Sequence, residues 1–94
     1  MSIYSTRVEL HGASRSDYGP LHKAMKLAGF SQTVTSDDGT VYELPEAEYV
    51  MFGSFTSEAV CAAAETATKG VWSSYSIFTN DGTRWASRAL KVVT

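Results

Sequence analysis

Two kinds of hydrophobic spacing alternate along this chain, and their order constrains the fold more than any other feature. Residues 3–11 alternate in character, as in a β-strand with one buried face. After a turn, apolar residues recur at helical spacing until Gly29, a residue suited to end a helix. Because Pro20 is tolerated only in a first helical turn, we expect this helix to begin at Ser16 or Asp17. The strand is expected to direct one set of side chains towards the helices: Tyr4, Thr6, Val8 and Leu10.

The middle of the chain predicts a β-hairpin. Two runs rich in β-forming residues, 30–36 and 40–44, flank an Asp-Gly pair, which is a strong signal for a tight turn. Proline cannot donate a hydrogen bond to a sheet, so Pro45 interrupts the second of these strands. Strand character returns at residues 48–53. We interpret this segment as a continuation of strand three past a bulge, with a separate short strand as the alternative.

A second helix and a fourth strand are predicted next. Thr56 or Ser54 can cap a helix over residues 57–69, and its alanine-rich face permits a close approach to a sheet. Residues 72–79 are predicted to form the strand, and the Asn-Asp-Gly sequence at 80–82 is predicted to form a turn.

The order strand, helix, strand, strand, helix, strand predicts an α+β protein. Its expected architecture is a ferredoxin-like β-α-β-β-α-β sandwich, with two helices on one face of an antiparallel sheet and strands one and three at its centre. Residues 83–93 form either an extra C-terminal edge strand or an irregular tail. A chain of 94 residues has room for one hydrophobic core, so we expect a single domain over residues 1–94.

Composition narrows the functional classes. A formal net charge of −2 argues against a protein that coats nucleic acid without specificity, because such binding depends on many lysines and arginines. Cys61, the single cysteine, lies on the alanine-rich helical face and is expected to be a small buried hydrophobe. One cysteine and two histidines without a ligand spacing predict no metal site, and we expect no cofactor. Lacking a signal-peptide pattern or a membrane span, the chain is expected to be cytoplasmic.

Two histidines are candidates for acid-base chemistry. His11 closes strand one and His22 lies in helix one, and an imidazole can exchange a proton near neutral pH. If Arg7 and Glu9 share the face opposite the helices with His11, the three form a polar row that suits a phosphate group. The alternatives are cross-strand pairing of the row with Glu43 or Glu48, its burial between two copies of the sheet, and solvated histidines without a catalytic role.

Basic residues occur in two further places. Lys23 and Lys26 follow His22 on helix one, where a solvated helix surface is the alternative to a phosphate site. Near the C-terminus, cations interleave with an aromatic ring, an arrangement that can hold a single-stranded backbone and stack a base. These C-terminal residues are Arg84, Trp85, Arg88 and Lys91.

About half of the chain resembles the GhoS-like family of small bacterial proteins, the endoribonuclease antitoxins of type V toxin-antitoxin pairs. The residues that carry the resemblance are Tyr4, Val8-Glu9-Leu10-His11, Asp17-Tyr18, Leu21-His22, Met25, Gly29-Phe30, Leu44-Pro45 and Glu48-Tyr49.

The resemblance implies a ferredoxin-like domain of this length and an antitoxin that cleaves the messenger RNA of its toxin. It also implies a basic helix, represented here by Lys23 and Lys26. The resulting hypothesis is a metal-independent endoribonuclease in which His11 and His22 exchange protons while Arg7 and the two lysines hold phosphate. DNA and membranes are not expected partners. The competing hypothesis is a non-catalytic homodimer that binds or regulates through its open sheet.

Overall fold

The computed structural model describes residues 2–82 and 85–93 and shows a small α+β protein. A 3-10 turn at Arg15–Asp17 precedes the first helix. The strands and helices, in chain order, are β1 (Ser2–Leu10), α1 (Tyr18–Leu27), β2 (Thr33–Thr35), β3 (Val41–Glu43), β4 (Glu48–Gly53), α2 (Ser57–Lys69) and β5 (Tyr75–Gly82).

The main sheet has three antiparallel strands in the order β4-β1-β5, so β1 is the central strand. Thr6 lies opposite Tyr49 of β4 and Thr79 of β5, while the next residue, Arg7, lies opposite Glu48 and Phe78. Successive side chains of a strand point to opposite faces. The register therefore places Thr6 on one face and Arg7 on the other.

The two helices cover the face of the sheet to which Thr6 points. Buried side chains of β1 and β4 meet buried side chains of both helices there, as the alternation in residues 3–11 predicted. Cys61 is half-buried, not buried as predicted, and it is not a member of the core cluster. The members of the core are Tyr4, Val8, Leu10, Leu21, Met25, Phe30, Tyr49, Val60 and Ala64.

Both helices begin close to the predicted positions. α1 starts at Tyr18, one or two residues after the expected start, because the preceding three residues form the tighter 3-10 turn. α2 is capped by Thr56, whose Oγ1 accepts a 3.0 Å hydrogen bond from the backbone N–H of Ala59. Thr56 is thus the cap, and Ser54 is not.

The hairpin is confirmed, but its strands are shorter than predicted and form a sheet of their own. Thr33 lies opposite Glu43 in this two-stranded sheet. Residues 48–53 do not continue strand three: they form β4, which pairs with β1 instead. Pro45 has no N–H for a ladder, and Ala47 takes a φ of 66°, so the chain changes direction between β3 and β4. Of the two strands predicted at the sheet centre, strand one is central in this sheet, and the 40–44 part of strand three lies in the two-stranded sheet.

The C-terminal segments differ from the sequence prediction in two respects. The predicted turn at 80–82 is wrong, since β5 runs to Gly82 and pairs with the long β1 as far as Ile3. Residues 85–93 form no strand, but Val92 makes an isolated antiparallel β-bridge with Tyr42 of β3. The tail is thus irregular with a short edge pairing, which combines the two alternatives. None of the helices in the described part of the chain is long and apolar enough to cross a membrane.

Candidate functional site

The face of the main sheet opposite the helices, here called the outer face, carries polar and aromatic side chains. β1 contributes Arg7 and Glu9, which are both exposed. β5 contributes Ser76 opposite Glu9 and Phe78 opposite Arg7. The predicted polar row therefore lies on the predicted face, with a neighbouring strand that adds an aromatic ring.

A groove of about 630 Å³ crosses β1 on this side of the protein. It runs from β5 to the loop before β4 and to the turn before α1. Two guanidinium and two carboxylate groups line it. Their charges balance, but each guanidinium is a local positive centre in the groove. The charged and aromatic lining residues are Arg7, Glu9, Arg15, Tyr18, Glu46 and Phe78.

Phe78 is the main residue that the sequence analysis missed at this site. Its side chain is 71% exposed although it lies within a strand. A signal was present: Tyr75, Ile77 and Thr79 form the helix-facing set of β5, and the other set is Ser76, Phe78 and Asn80. A large apolar side chain in an otherwise polar set of a strand marks a contact surface.

His11 lies at the end of the polar row, with 45% of its side chain exposed. Its Nδ1 lies 3.2 Å from Oγ of Ser74, and its Nε2 lies 2.9 Å from Oγ of Ser76. The same Nε2 is 3.5 Å from Oε1 of Glu9. His11 is thus held at the edge of the groove, beside a carboxylate, in a position open to solvent.

His22 lies in a different environment, with only 19% of its side chain exposed. Its Nδ1 is 2.6 Å from the hydroxyl oxygen of Tyr49, and its Nε2 is 3.3 Å from Oε1 of Glu46. Burial, with a smaller effect of the Glu46 charge, raises the pKa of Tyr49, so the phenol keeps its proton. Because the Glu46 carboxylate only accepts, Nε2–H donates to it, and in that neutral tautomer Nδ1 accepts from the Tyr49 hydroxyl.

The structure does not bring His11 and His22 together. They share no hydrogen-bond partner among the described residues, although Glu9 beside His11 and Glu46 beside His22 line the same groove. Ser76 and Glu9 lie on the outer face, whereas Tyr49 lies in the helix-covered core. Proton exchange between the two histidines at one phosphate stays a prediction that no contact among the described residues supports.

Lys23 and Lys26 do not reach the outer face either. Both are exposed on α1, which packs on the opposite side of the main sheet. Glu48 is the residue opposite Arg7, but its carboxylate accepts a hydrogen bond from Ser5, and no ion pair joins it to Arg7 within residues 2–82 and 85–93. Cross-strand pairing therefore does not occupy the Arg7 guanidinium.

The predicted C-terminal residues divide into two groups. Trp85 and Arg88 line a second cavity, of about 370 Å³, between the outer face and the C-terminal segment. Lys91 uses its backbone carbonyl to accept a 2.8 Å hydrogen bond from Glu43 of the hairpin. Arg84 lies outside the described residues.

Comparison with known proteins adds no identification. No family model matches this chain, and no curated protein matches it. The resemblance to the GhoS-like family therefore stays a prediction.

Proposed function

We propose that this chain is a metal-independent endoribonuclease that cleaves single-stranded RNA in the groove of the outer face. The observation that carries the proposal is that Arg7, Glu9 and Phe78 line one accessible groove and that His11 contacts Ser76 and Glu9 at its end. As an antitoxin of the GhoS-like kind, it would act in the bacterial cytoplasm on the messenger RNA of a toxin.

We further infer a ferredoxin-like strand order. Ser31, just before β2, forms an antiparallel bridge with Val50 of β4, with backbone hydrogen bonds of 2.8 Å in both directions. We interpret this isolated bridge as the start of a fourth position of the main sheet, beside β4. The resulting order, residues 31–35, β4, β1, β5, is that of a split β-α-β sandwich.

RNA binding in the groove requires contacts to bases and to phosphates. Phe78 offers an exposed ring for base stacking, which contributes about 1–3 kcal/mol per base and accepts every base. The guanidinium groups of Arg7 and Arg15 line the same groove and suit phosphate oxygens. Two cations are enough to hold a short segment of RNA. Such binding needs no net positive charge on the whole chain, whose formal net charge is −2.

The chemistry is assigned to Glu9 and His11. The Glu9 carboxylate removes the proton of a ribose 2′-hydroxyl, and the 2′-oxygen attacks the adjacent phosphorus. The bond from phosphorus to the 5′-oxygen breaks, and the His11 imidazolium gives that oxygen its proton. The products are a 2′,3′-cyclic phosphate and a 5′-hydroxyl. Arg7 stabilises the charge of the phosphorane.

The geometry permits this assignment. Nε2 of His11 and Oε1 of Glu9 lie 3.5 Å apart at the end of β1, so a phosphate enters between them once these exposed side chains move apart. His22 has both ring nitrogens bonded to Tyr49 and Glu46, so its role here is to position Glu46 at the margin of the groove.

The test is product analysis. A 5′-labelled single-stranded RNA is incubated with the protein in excess EDTA, and the fragments are examined for a 2′,3′-cyclic phosphate end. We expect such fragments, and we expect a 2′-deoxy substitution at a cleaved position to abolish the cut there. Intact RNA after long incubation at high protein concentration would refute the proposal.

A non-catalytic homodimer is the second candidate, and the exposure of Phe78 favours it too. Two copies of the outer face packed together would bury this ring. Light scattering after size-exclusion chromatography distinguishes the candidates. A stable dimer that Phe78→Ala and Arg7→Ala both dissociate assigns the surface to an interface, whereas a monomer that cleaves RNA assigns it to catalysis.

A further inference from the structure

The second cavity is a separate feature of the outer face and has no part in the cleavage chemistry proposed for the groove. It lies where the hairpin and the C-terminal segment cover the end of the main sheet that is remote from His11. Its volume of about 370 Å³ falls within the range of small-molecule sites in proteins. Its apolar walls are Ile3, Val34, Leu44, Val50 and Leu90, and Trp85 also lines it.

Glu48 and Asn80 line the cavity on either side of Ser5, and Arg88, which also lines it, donates a 2.8 Å hydrogen bond to the carbonyl of Ser87. Glu48 lies on β4 and is half-buried, and its Oε2 accepts a 3.0 Å hydrogen bond from Oγ of Ser5. Asn80 lies directly opposite Ser5 on β5. Ser5 therefore fixes one carboxylate oxygen of Glu48 and leaves the other, Oε1, without a partner among the described residues.

The cavity thus combines a held carboxylate, a nearby amide and an aromatic wall. The indole of Trp85 is 41% exposed and can lie against a planar ring. A carboxylate only accepts hydrogen bonds, while an amide both donates and accepts. The matching ligand is flat, with adjacent N–H donors next to an acceptor.

We propose that this cavity binds a nucleobase of the RNA strand and favours guanine. The Watson–Crick edge of guanine presents N1–H and the N2 amino group side by side, which suits the carboxylate of Glu48, and its O6 accepts from the amide of Asn80. Adenine and cytosine present an amino group beside an acceptor nitrogen. Uracil presents one N–H between two carbonyl oxygens, which a carboxylate repels.

This inference rests on the proposed function and gives it a sequence preference. Glu48 lies opposite Arg7, and Asn80 is two residues beyond Phe78, so the cavity adjoins the groove along the same two strands. A strand with guanine in the cavity passes its neighbouring phosphate near Arg7. Cleavage is therefore expected close to guanines.

The test begins with free nucleotides. GMP, AMP, CMP and UMP are titrated separately into the ¹⁵N-labelled protein, and the indole N–H signal of Trp85 is followed by NMR. The indole of Trp72 serves as the internal reference, since its N–H donates to the carbonyl of His11 and does not line the cavity. We expect GMP to shift the Trp85 signal with an affinity about tenfold higher than that of the other three nucleotides.

Glu48→Gln is the decisive variant, because it replaces one acceptor oxygen by an N–H2 group that opposes the guanine donors. We expect it to lower GMP affinity about tenfold. The matched control is Glu43→Gln, at an exposed position of β3 that does not line the cavity, which should bind GMP as the original protein does. Equal affinity for all four nucleotides, or no shift of Trp85, overturns the guanine assignment.

Cleavage assays separate this inference from the proposed function. RNA cut beside guanine, with that preference lost in Glu48→Gln, supports both. RNA cut without base preference, and no effect of Glu48→Gln, overturns the cavity assignment and leaves the nuclease standing. GMP binding at Trp85 without any RNA cleavage supports the base site and overturns the nuclease.

Discussion

The Nδ1 atom of His22 lies 2.6 Å from the hydroxyl oxygen of Tyr49, and this hydrogen bond joins α1 to β4 inside the helix-covered core. Tyr49 is fully buried, and burial raises its pKa, so the phenol keeps its proton and is able to donate to Nδ1. The second ring nitrogen of His22 is directed at Glu46 in the loop before β4. The pair thereby fixes the position of a loop that borders the groove.

Replacing Tyr49 by phenylalanine should destabilise the protein by about 1–3 kcal/mol, because Nδ1 of His22 then loses its only donor in a mostly buried setting. Urea unfolding measures the loss. The control is Tyr42→Phe, a half-buried residue of β3. Equal unfolding free energies for the two variants would show that the hydrogen bond contributes nothing specific.

The stability of the hairpin is expected to depend on pH through Asp38. Hydrogen bonds from the Ser36 hydroxyl and then from Thr40 lower the pKa of Asp38 from 3.8 to about 2. Because the folded pKa is depressed, the stabilisation is present above the unfolded value near 3.8 and is lost as the pH falls towards 2. The unfolding midpoint of Asp38→Asn should be below that of the original protein at pH 7, and the two should converge near pH 2. Asp37→Asn is the control, and a difference that persists at pH 2 would contradict the assignment.

Phe78→Ala should weaken binding of single-stranded RNA by about 1–3 kcal/mol, the contribution of stacking one base. Its effect on stability should be small, since the ring is already 71% exposed. Fluorescence anisotropy with a labelled oligonucleotide measures the affinity. Leu27→Ala removes a side chain of α1 that is 86% exposed and should leave RNA binding unchanged. A Phe78→Ala variant that binds as tightly as the original protein would place the RNA elsewhere.

Two glycine substitutions should have opposite effects on stability. Gly53 has a φ of 152°, and an added Cβ would lie 2.4 Å from a ring carbon of Phe55. Gly53→Ala should therefore destabilise the protein by more than about 1 kcal/mol. Gly19, in the first turn of α1, has open space around it, so Gly19→Ala should stabilise by up to about 1 kcal/mol. Thermal unfolding of both variants checks the pair; a neutral Gly53→Ala would contradict the clash.

Local signals identified most of the secondary structure. The Asp-Gly turn, the Thr56 cap and the alternation of β1 each depend on neighbouring residues, and each is present in the structure. The partner of residues 48–53 depends instead on a contact across more than forty residues. Nothing in the segment itself shows that it pairs with β1 rather than extending the hairpin.

The candidate site shows the same difference between features set by neighbouring residues and features set by long-range contacts. Alternation placed Arg7 and Glu9 on one face, as the register shows, and His11 contacts Ser76 and Glu9 of that face. The separation of His11 from His22 required the packing of α1 against the sheet, which a strand pattern does not contain. Phe78 was predictable in principle, since it departs from the polar pattern on its side of β5.

The most direct test of the nuclease is the rate at which single-stranded RNA is cleaved in EDTA by His11→Ala and by His22→Ala. General acid catalysis contributes about 10²–10⁴-fold, so His11→Ala should lower the rate by at least about a hundredfold. His22→Ala, whose imidazole lies on the other side of the sheet, should retain most of the rate at a temperature where it stays folded. Equal rates for His11→Ala and the original protein, or loss of cleavage in a folded His22→Ala alone, would contradict a site on the outer face.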